Sequence, residues 1–149
     1  MDFQLDDEQI MLKKMVRNLA EKEFKPKAAK WDEQETFPWE NLKMLAQQDL
    51  LGATIPVQYG GGGAGIFEYV LIIEEIARVC ANTAAIVIGA NSVGGRILHF
   101  AEEEHRQRYL PPIAKGEKIG ASAITEPDAG SDVKSIKTIA RRDGDHYVI

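Results

Sequence analysis

The chain has 149 residues, with 18 Lys and Arg against 23 Asp and Glu, a formal net charge of −5. Its 44% hydrophobic and 28% charged content is that of a globular chain and excludes disordered, collagen-like and low-complexity classes, while the mild acidic balance argues against a dedicated nucleic-acid binder, which needs a basic face to displace counterions from phosphates. The longest apolar run, Ala84 to Ala90 counting Gly89, is far short of the roughly 20 residues that span a bilayer; with an acidic N-terminus lacking the regions of a secretory signal, and with Cys80 as the one cysteine, a soluble cytoplasmic protein is expected.

The first elements read as helices. Asp6 or Asp7 serves as a cap, and Ile10, Leu12, Met15, Val16, Leu19 and Phe24 recur at mostly three- and four-residue steps. Pro26 predicts a break, followed by a short helix over Lys27 to Glu35. Pro38 marks a first helical position, Trp39, Leu42, Leu45 and Ala46 form the next stripe, and Gly52 reads as the residue just past its end. Trp31 and Trp39 read as residues that pack one helix on another. After five glycines within Gly60–Gly65, Ile66 to Cys80 is again helical in pattern, and Asn82 or Thr83 is placed to cap a helix running to Phe100. Glu102 to Tyr109 reads as an exposed helical turn stopped by Pro111 and Pro112.

After Gly116 the pattern changes. Ile119–Ile124, Ile136–Arg142 and His146–Ile149 have strand composition, and Asp143-Gly144-Asp145 signals a hairpin between the last two. The expected fold is therefore mainly α: an N-terminal helical bundle over residues 1–116, then the first strands of a β-barrel-like domain over 117–149. The chain stops in the apolar run Tyr147-Val148-Ile149, which leads us to expect a truncated piece of a longer protein, or one that borrows strands from a partner.

Two glycine-bearing segments invite chemistry. Gly60 to Gly65 satisfies G-x-G-x-x-G, the dinucleotide-binding turn, but that turn needs a buried strand before it and an acid at the end of a second strand. Pro56 sits in the first of these, and Gly89-Ala90-Asn91 follows the only candidate for the second, so a plain glycine turn feeding a helix is favoured. His99, His105 and His146 lack ligand spacing and the lone cysteine lacks a partner, so no metal site is expected. The segment from Ala123 to Asp132 is different. It leaves a short strand and enters a loop of hydroxyls, small residues and carboxylates, in which Thr125 sits where the strand ends, a place to aim a hydroxyl at a ligand. Ala129, Gly130 and Ser131 are placed to offer successive N–H groups to an anion, and a binding loop and a plain loop both fit these residues.

Thr-Glu-Pro-Asp-Ala-Gly-Ser-Asp over 125–132, preceded by small residues, resembles the flavin-contacting signature of the acyl-CoA dehydrogenase family. Met1–Phe24 resembles that family's first helix, Pro56–Gly65 its Pro-x-x-Tyr-Gly-Gly-x-Gly turn, Glu74–Ala77 the helix after it, and Tyr109–Gly120 the run into its first strand. The resemblance implies an FAD-dependent oxidation of acyl-CoA to trans-2-enoyl-CoA. A carboxylate removes the α-proton and the β-hydride passes to flavin N5. It further implies that Ser122, Ile124 and Thr125 lie against the flavin, and that Gly130 and Ser131 lie near its pyrophosphate, with Ser131 the substrate contact. Electron-transfer flavoprotein as electron acceptor and a homo-oligomer also follow from the resemblance. No catalytic residue is expected in this chain, because the family's glutamate lies in a C-terminal domain; Glu74, Glu75 and Glu126 match no motif for it. In the family the helices corresponding to Ile66–Phe100 form the bottom of the acyl pocket. The small Gly89, Ala90 and Gly94 there fit either a roomy pocket or space filled by a neighbour. A non-catalytic helical interaction module, an acyl-CoA oxidase and a flavin monooxygenase of similar architecture stand as alternatives.

Overall fold

A computed structural model describes residues 4–149, so the first three residues of the segment read as the first helix lie outside the described residues. Helix α1 spans Asp7–Leu19. The Asp6 carboxylate accepts the Gln9 N–H at 2.8 Å, and the Gln9 amide oxygen accepts the Asp6 N–H at 3.2 Å, so two of the orphan donors of the helix start are satisfied. Within the predicted stripe Val16 and Phe24 are buried, whereas Ile10 and Met15 remain on the exposed side. The expected break at Pro26 does not occur. Ala20–Phe24 forms a π-helical turn in which the Lys25 N–H bonds the Ala20 carbonyl, and α2 (Lys25–Glu33) follows with Pro26 in its first turn. Proline has no N–H and its ring crowds the carbonyl four residues back; a wider turn just before it relieves both conflicts.

Helix α3 spans Trp39–Gln47, with Pro38 one position earlier than expected, at the cap. Its end is also not where glycine predicts. Asp49 takes φ +55°, its N–H bonds the Ala46 carbonyl at 3.2 Å, and the Leu50 N–H bonds the Leu45 carbonyl at 2.9 Å. That is a left-handed helix cap built on aspartate. Gly52 serves packing instead: a Cβ there would lie 2.9 Å from the Cβ of Ala114. Trp39 does not bridge helices; it is more than half exposed and lies 4.6 Å from the Phe37 ring.

Helices α4 (Ile66–Ala77), α5 (Ala81–Phe100) and α6 (Glu103–Ala114) complete the bundle. α4 packs between α1 and α5, and α5 in turn carries α6, α3 and α2. Neither Asn82 nor Thr83 caps α5, which starts after Cys80; the Thr83 hydroxyl is buried between the Asn41 amide at 2.7 Å and the Cys80 sulfur at 3.0 Å. Pro111 and Pro112 do not stop α6 but lie inside it. Leu110, Ile113 and Ala114 are buried there against Ile55 and Tyr59, and that packing offsets the two ladder bonds the prolines cannot donate. The main core lies between α1, α3, α4 and α5, around Val16, Phe24, Leu45, Leu51, Ile76 and Val87. Among the described residues no helix is long and apolar enough to cross a membrane.

After α6 the regular structure is sparse. The only sheet among the described residues is the hairpin β1 (Arg141–Asp143) with β2 (His146–Val148), Asp143 opposite His146. The turn residues are therefore Gly144-Asp145, one place later than read, with Gly144 at φ +63° in the first central position. Ile119–Ile124 takes no regular secondary structure and forms no strand, because no described segment pairs with it.

One buried charge ties α1 to α4. The Glu75 side chain is fully buried; Arg17 Nε and Nη2 donate to its two oxygens at 2.8 Å each, and Arg78 Nη1 donates at 3.1 Å. The Arg17 hydrogen bonds hold the Glu75 carboxyl below the usual carboxylate range against the opposing effect of burial. A depressed folded-state pKa contributes stability that is present above the unfolded value of about 4.3 and is lost as pH falls through the folded value. Glu75→Gln is therefore expected to flatten the fall in melting temperature between about pH 5 and pH 3. Equal acid slopes for variant and wild type would show that the pair carries no such linkage.

Candidate functional site

Within this chain the segment between α6 and the hairpin is tied together by hydrogen bonds. Over residues 117–149 Ala129 alone among them is buried. Glu126 and Ala129 exchange both backbone bonds, at 2.9 and 3.2 Å, closing a tight turn around Pro127 and Asp128. Because that pair is antiparallel, Thr125 and Gly130 are the residues that flank it. The Glu126 carboxylate reaches forward to the next segment. Oε2 accepts the Lys137 N–H at 2.9 Å; Oε1 accepts the Thr138 N–H at 2.9 Å and also the Thr138 hydroxyl. Asp128 pairs with the Lys137 ammonium at 3.0 Å, and Asp132 accepts from the Lys134 N–H at 3.3 Å.

The turn brings Thr125, Gly130 and Ser131 to one end of the loop, all exposed, with Ile124 46% exposed beside them. Ser122 lies further back and is tethered to the bundle: its Oγ accepts from Arg96 Nη1 on α5 at 2.6 Å. Gly130 has a negative φ, and a Cβ built on it meets nothing within 4 Å. Within this chain no neighbour approaches the position, so the Gly130 backbone is open there. The expected run of three amide donors is corrected to two. The Ala129 N–H is already given to the Glu126 carbonyl, and those of Gly130 and Ser131 make no bond among the described residues.

The three candidate carboxylates are all committed. Glu74 pairs with Lys13 at 3.3 Å, Glu75 is buried on Arg17, and Glu126 is held deprotonated by the donors from Lys137 and Thr138. Sequence reasoning missed Arg96 and the role of Glu126, since their partners stand 26 and 11–12 residues away.

The glycine turn is not a phosphate cradle. Ala84–Ile88, the second strand a dinucleotide fold requires, lies inside α5. The N–H groups that would face phosphate are spent internally: Gly62 on the Gly52 carbonyl at 3.1 Å, Gly63 on Ile55 at 2.9 Å, Ala64 on Ala53 at 2.8 Å. Tyr59, buried beside the turn, gives its hydroxyl to Glu103 at 2.8 Å and locks the turn to α6.

A cleft of about 600 Å³ opens along the first half of α5, lined by Trp31, Phe37, Leu42, Ile86, Gly89 and Ile119 among others. The three small residues of α5 divide here. A Cβ on Gly89 meets nothing within 4 Å, and Ala90 also lines the cleft, whereas a Cβ on Gly94 would lie 2.9 Å from Ile55 Cδ1. Gly94 is thus small because Ile55 packs on it.

The family model for the acyl-CoA dehydrogenase N-terminal domain matches residues 6–117. The chain is 44% identical over 150 residues to the short-chain specific acyl-CoA dehydrogenase of Clostridium acetobutylicum, covering all of this chain and 40% of that protein. It resembles the structure of a glutaryl-coenzyme A dehydrogenase–glutaryl-CoA complex with a TM-score of 0.91 and 35% identity, over 99% of this chain and 38% of the other. The glutaryl-CoA dehydrogenase of Mycobacterium smegmatis in complex with FADH2 matches with a TM-score of 0.84 and 31% identity, over 94% of this chain and 36% of the other. The chain therefore spans about two fifths of the length of these relatives. Both the motif order in the sequence and the helical packing carry the likeness, and the chain belongs to the acyl-CoA dehydrogenase N-terminal domain family.

Proposed function

We propose that this chain is the N-terminal portion of an FAD-dependent acyl-CoA dehydrogenase, with a helical domain over residues 1–116 and the opening of the β domain over 117–149. Its substrate is an acyl-CoA, its electron acceptor an electron-transfer flavoprotein, its assembly a homo-oligomer and its compartment the cytoplasm. The observation that carries this reading is the loop: exposed hydroxyls at Thr125 and Ser131 flank a Gly130 whose backbone is open and whose N–H meets no acceptor among the described residues, with the Ser122 hydroxyl further back. These donors fit one edge of a flavin and the oxygens of a pyrophosphate.

FAD, when bound, supplies the acceptor for the β-hydride of the thioester. This chain's residues orient it. Ser122, Ile124 and Thr125 rest against the ring, with Ser122 held by Arg96. Gly130 and Ser131 face the pyrophosphate, and Ser131 also meets the substrate. α5 supplies one wall of the acyl pocket, where Gly89 and Ala90 leave room along the cleft. The base that takes the α-proton lies outside this chain, in keeping with the committed partners of Glu74, Glu75 and Glu126.

Thr125→Val and Ser131→Ala in the full-length protein test the reading. Losing a hydrogen bond to a charged or charge-developing group corresponds to roughly ten- to a hundredfold in the affected constant. Thr125→Val is expected to weaken FAD retention or shift the flavin spectrum and to slow flavin reduction by acyl-CoA. Ser131→Ala is expected to raise the apparent substrate constant with little change in kcat, because its contact exists in ground and transition states alike. Thr125→Val with wild-type flavin affinity, spectrum and reduction rate would remove this loop from the flavin site.

A further inference from the structure

We infer that Glu126 is a positioning residue, whose carboxylate fixes the shape in which the Thr125–Ser131 turn meets the flavin. The inference rests on the reading that this turn faces FAD. A loop that must hold donors in one geometry needs something behind it, and within this chain the ties to the turn centre on one side chain. Glu126 sits between Thr125 and the rest of the turn. Its backbone pairs with Ala129, and its carboxylate gathers the Lys137 N–H, the Thr138 N–H and the Thr138 hydroxyl. The Asp128–Lys137 ion pair adds a parallel tie of 3.0 Å from the far side of the turn to the same segment.

The chemistry requires a carboxylate. Both oxygens accept and neither donates, so each of the three bonds is charge-assisted. An amide in its place keeps one oxygen for Thr138 but turns an NH2 group toward the Lys137 N–H. Alanine keeps neither. An aspartate is one methylene short of the 137–138 backbone. The same engagement removes Glu126 from the list of bases, since a base needs an oxygen facing the α-carbon.

The test uses the full-length protein reconstituted with FAD, with three readouts: hydrogen exchange at the Lys137 and Thr138 amides, the FAD dissociation constant, and the flavin absorption spectrum. Glu126→Ala is expected to deprotect both amides, to raise the FAD dissociation constant about tenfold or more, and to alter the spectrum. Glu126→Gln falls between wild type and alanine, with Lys137 deprotected and Thr138 retained. Thr138→Val, which deletes only the hydroxyl donor, moves the dissociation constant in the same direction by a smaller factor and keeps the proposal testable if the alanine variant does not fold. The proposal is overturned if Glu126→Ala deprotects the amides but leaves FAD affinity and spectrum at wild type while Thr125→Val changes them; the loop then still faces the flavin and needs no brace. If neither variant changes FAD affinity or spectrum, the loop reading fails and the proposal falls with it.

Discussion

Replacing Gly61 with alanine is expected to destabilise the helical domain by about 3 kcal/mol or more, at the upper end of what overpacking costs. A Cβ at that position would lie 2.1 Å from the Ile55 carbonyl oxygen, 2.5 Å from the Ile55 Cβ and 2.6 Å from its carbonyl carbon. Two of these atoms belong to the main chain, so no rotamer change relieves the contact. The backbone there is itself engaged, because the same Ile55 carbonyl accepts the Gly63 N–H at 2.9 Å. Gly95→Ala is the matched control. It stands inside α5 with nothing within 4 Å of the added methyl, and should be neutral or stabilising by up to about 1 kcal/mol through helix propensity. Denaturant unfolding of both variants checks the pair. A Gly61→Ala midpoint close to that of wild type would show that the turn moves aside, and that its glycine-rich sequence has some other purpose than close approach.

The contrast between these two glycines shows what local sequence carries and what it does not. Composition and three- to four-residue periodicity were enough to place α1, α4 and α5 and the start of α3 near their observed positions, because an apolar stripe is a property of one segment. Prolines misled, each time as stops. Pro26 and Pro111-Pro112 read as stops, yet a π turn absorbs the first and the burial of Leu110 and Ile113 outweighs the second. Gly52 looked like a helix end, while Asp49 took that conformation and Gly52 met Ala114. Ile119–Ile124 has strand composition but no partner, and a strand is defined by pairing. The candidate loop was legible as a dense set of hydroxyls and small residues. Its supports were not, because Arg96 precedes Ser122 by 26 residues and the donors to Glu126 follow it by 11 and 12. Likewise nothing in the sequence distinguished Gly89, open to a cleft, from Gly94, closed by Ile55.

Asn91 is the other residue whose loss is expected to be severe, again through a contact far along the chain. It is 5% exposed in the middle of α5 and uses its whole amide. Nδ2 donates to the Leu51 carbonyl at 2.9 Å and the Val87 carbonyl at 2.7 Å, while Oδ1 accepts the Thr54 N–H at 2.7 Å and the Thr54 hydroxyl at 2.9 Å. The side chain thus pins the segment between α3 and the glycine turn onto α5. Asn91→Ala strands the Leu51 carbonyl and the Thr54 donors. At about 1–3 kcal/mol for each buried group left without a partner, the expected loss is about 3 kcal/mol or more. Asn91→Asp separates hydrogen bonding from size. One oxygen of the introduced carboxyl still serves Thr54, but the other faces two carbonyls, so the charged form is disfavoured and the folded-state pKa is raised. Stability from a raised acid pKa is present below the unfolded value, about 3.9, and is lost as pH rises through the folded one. The aspartate variant should therefore lose more stability relative to wild type at pH 7 than at about pH 4, the reverse of the trend expected from Glu75. Thermal unfolding of wild type and both variants at the two pH values measures it, and a deficit that is independent of pH would mean that water, not the Leu51 and Val87 carbonyls, faces the new oxygen.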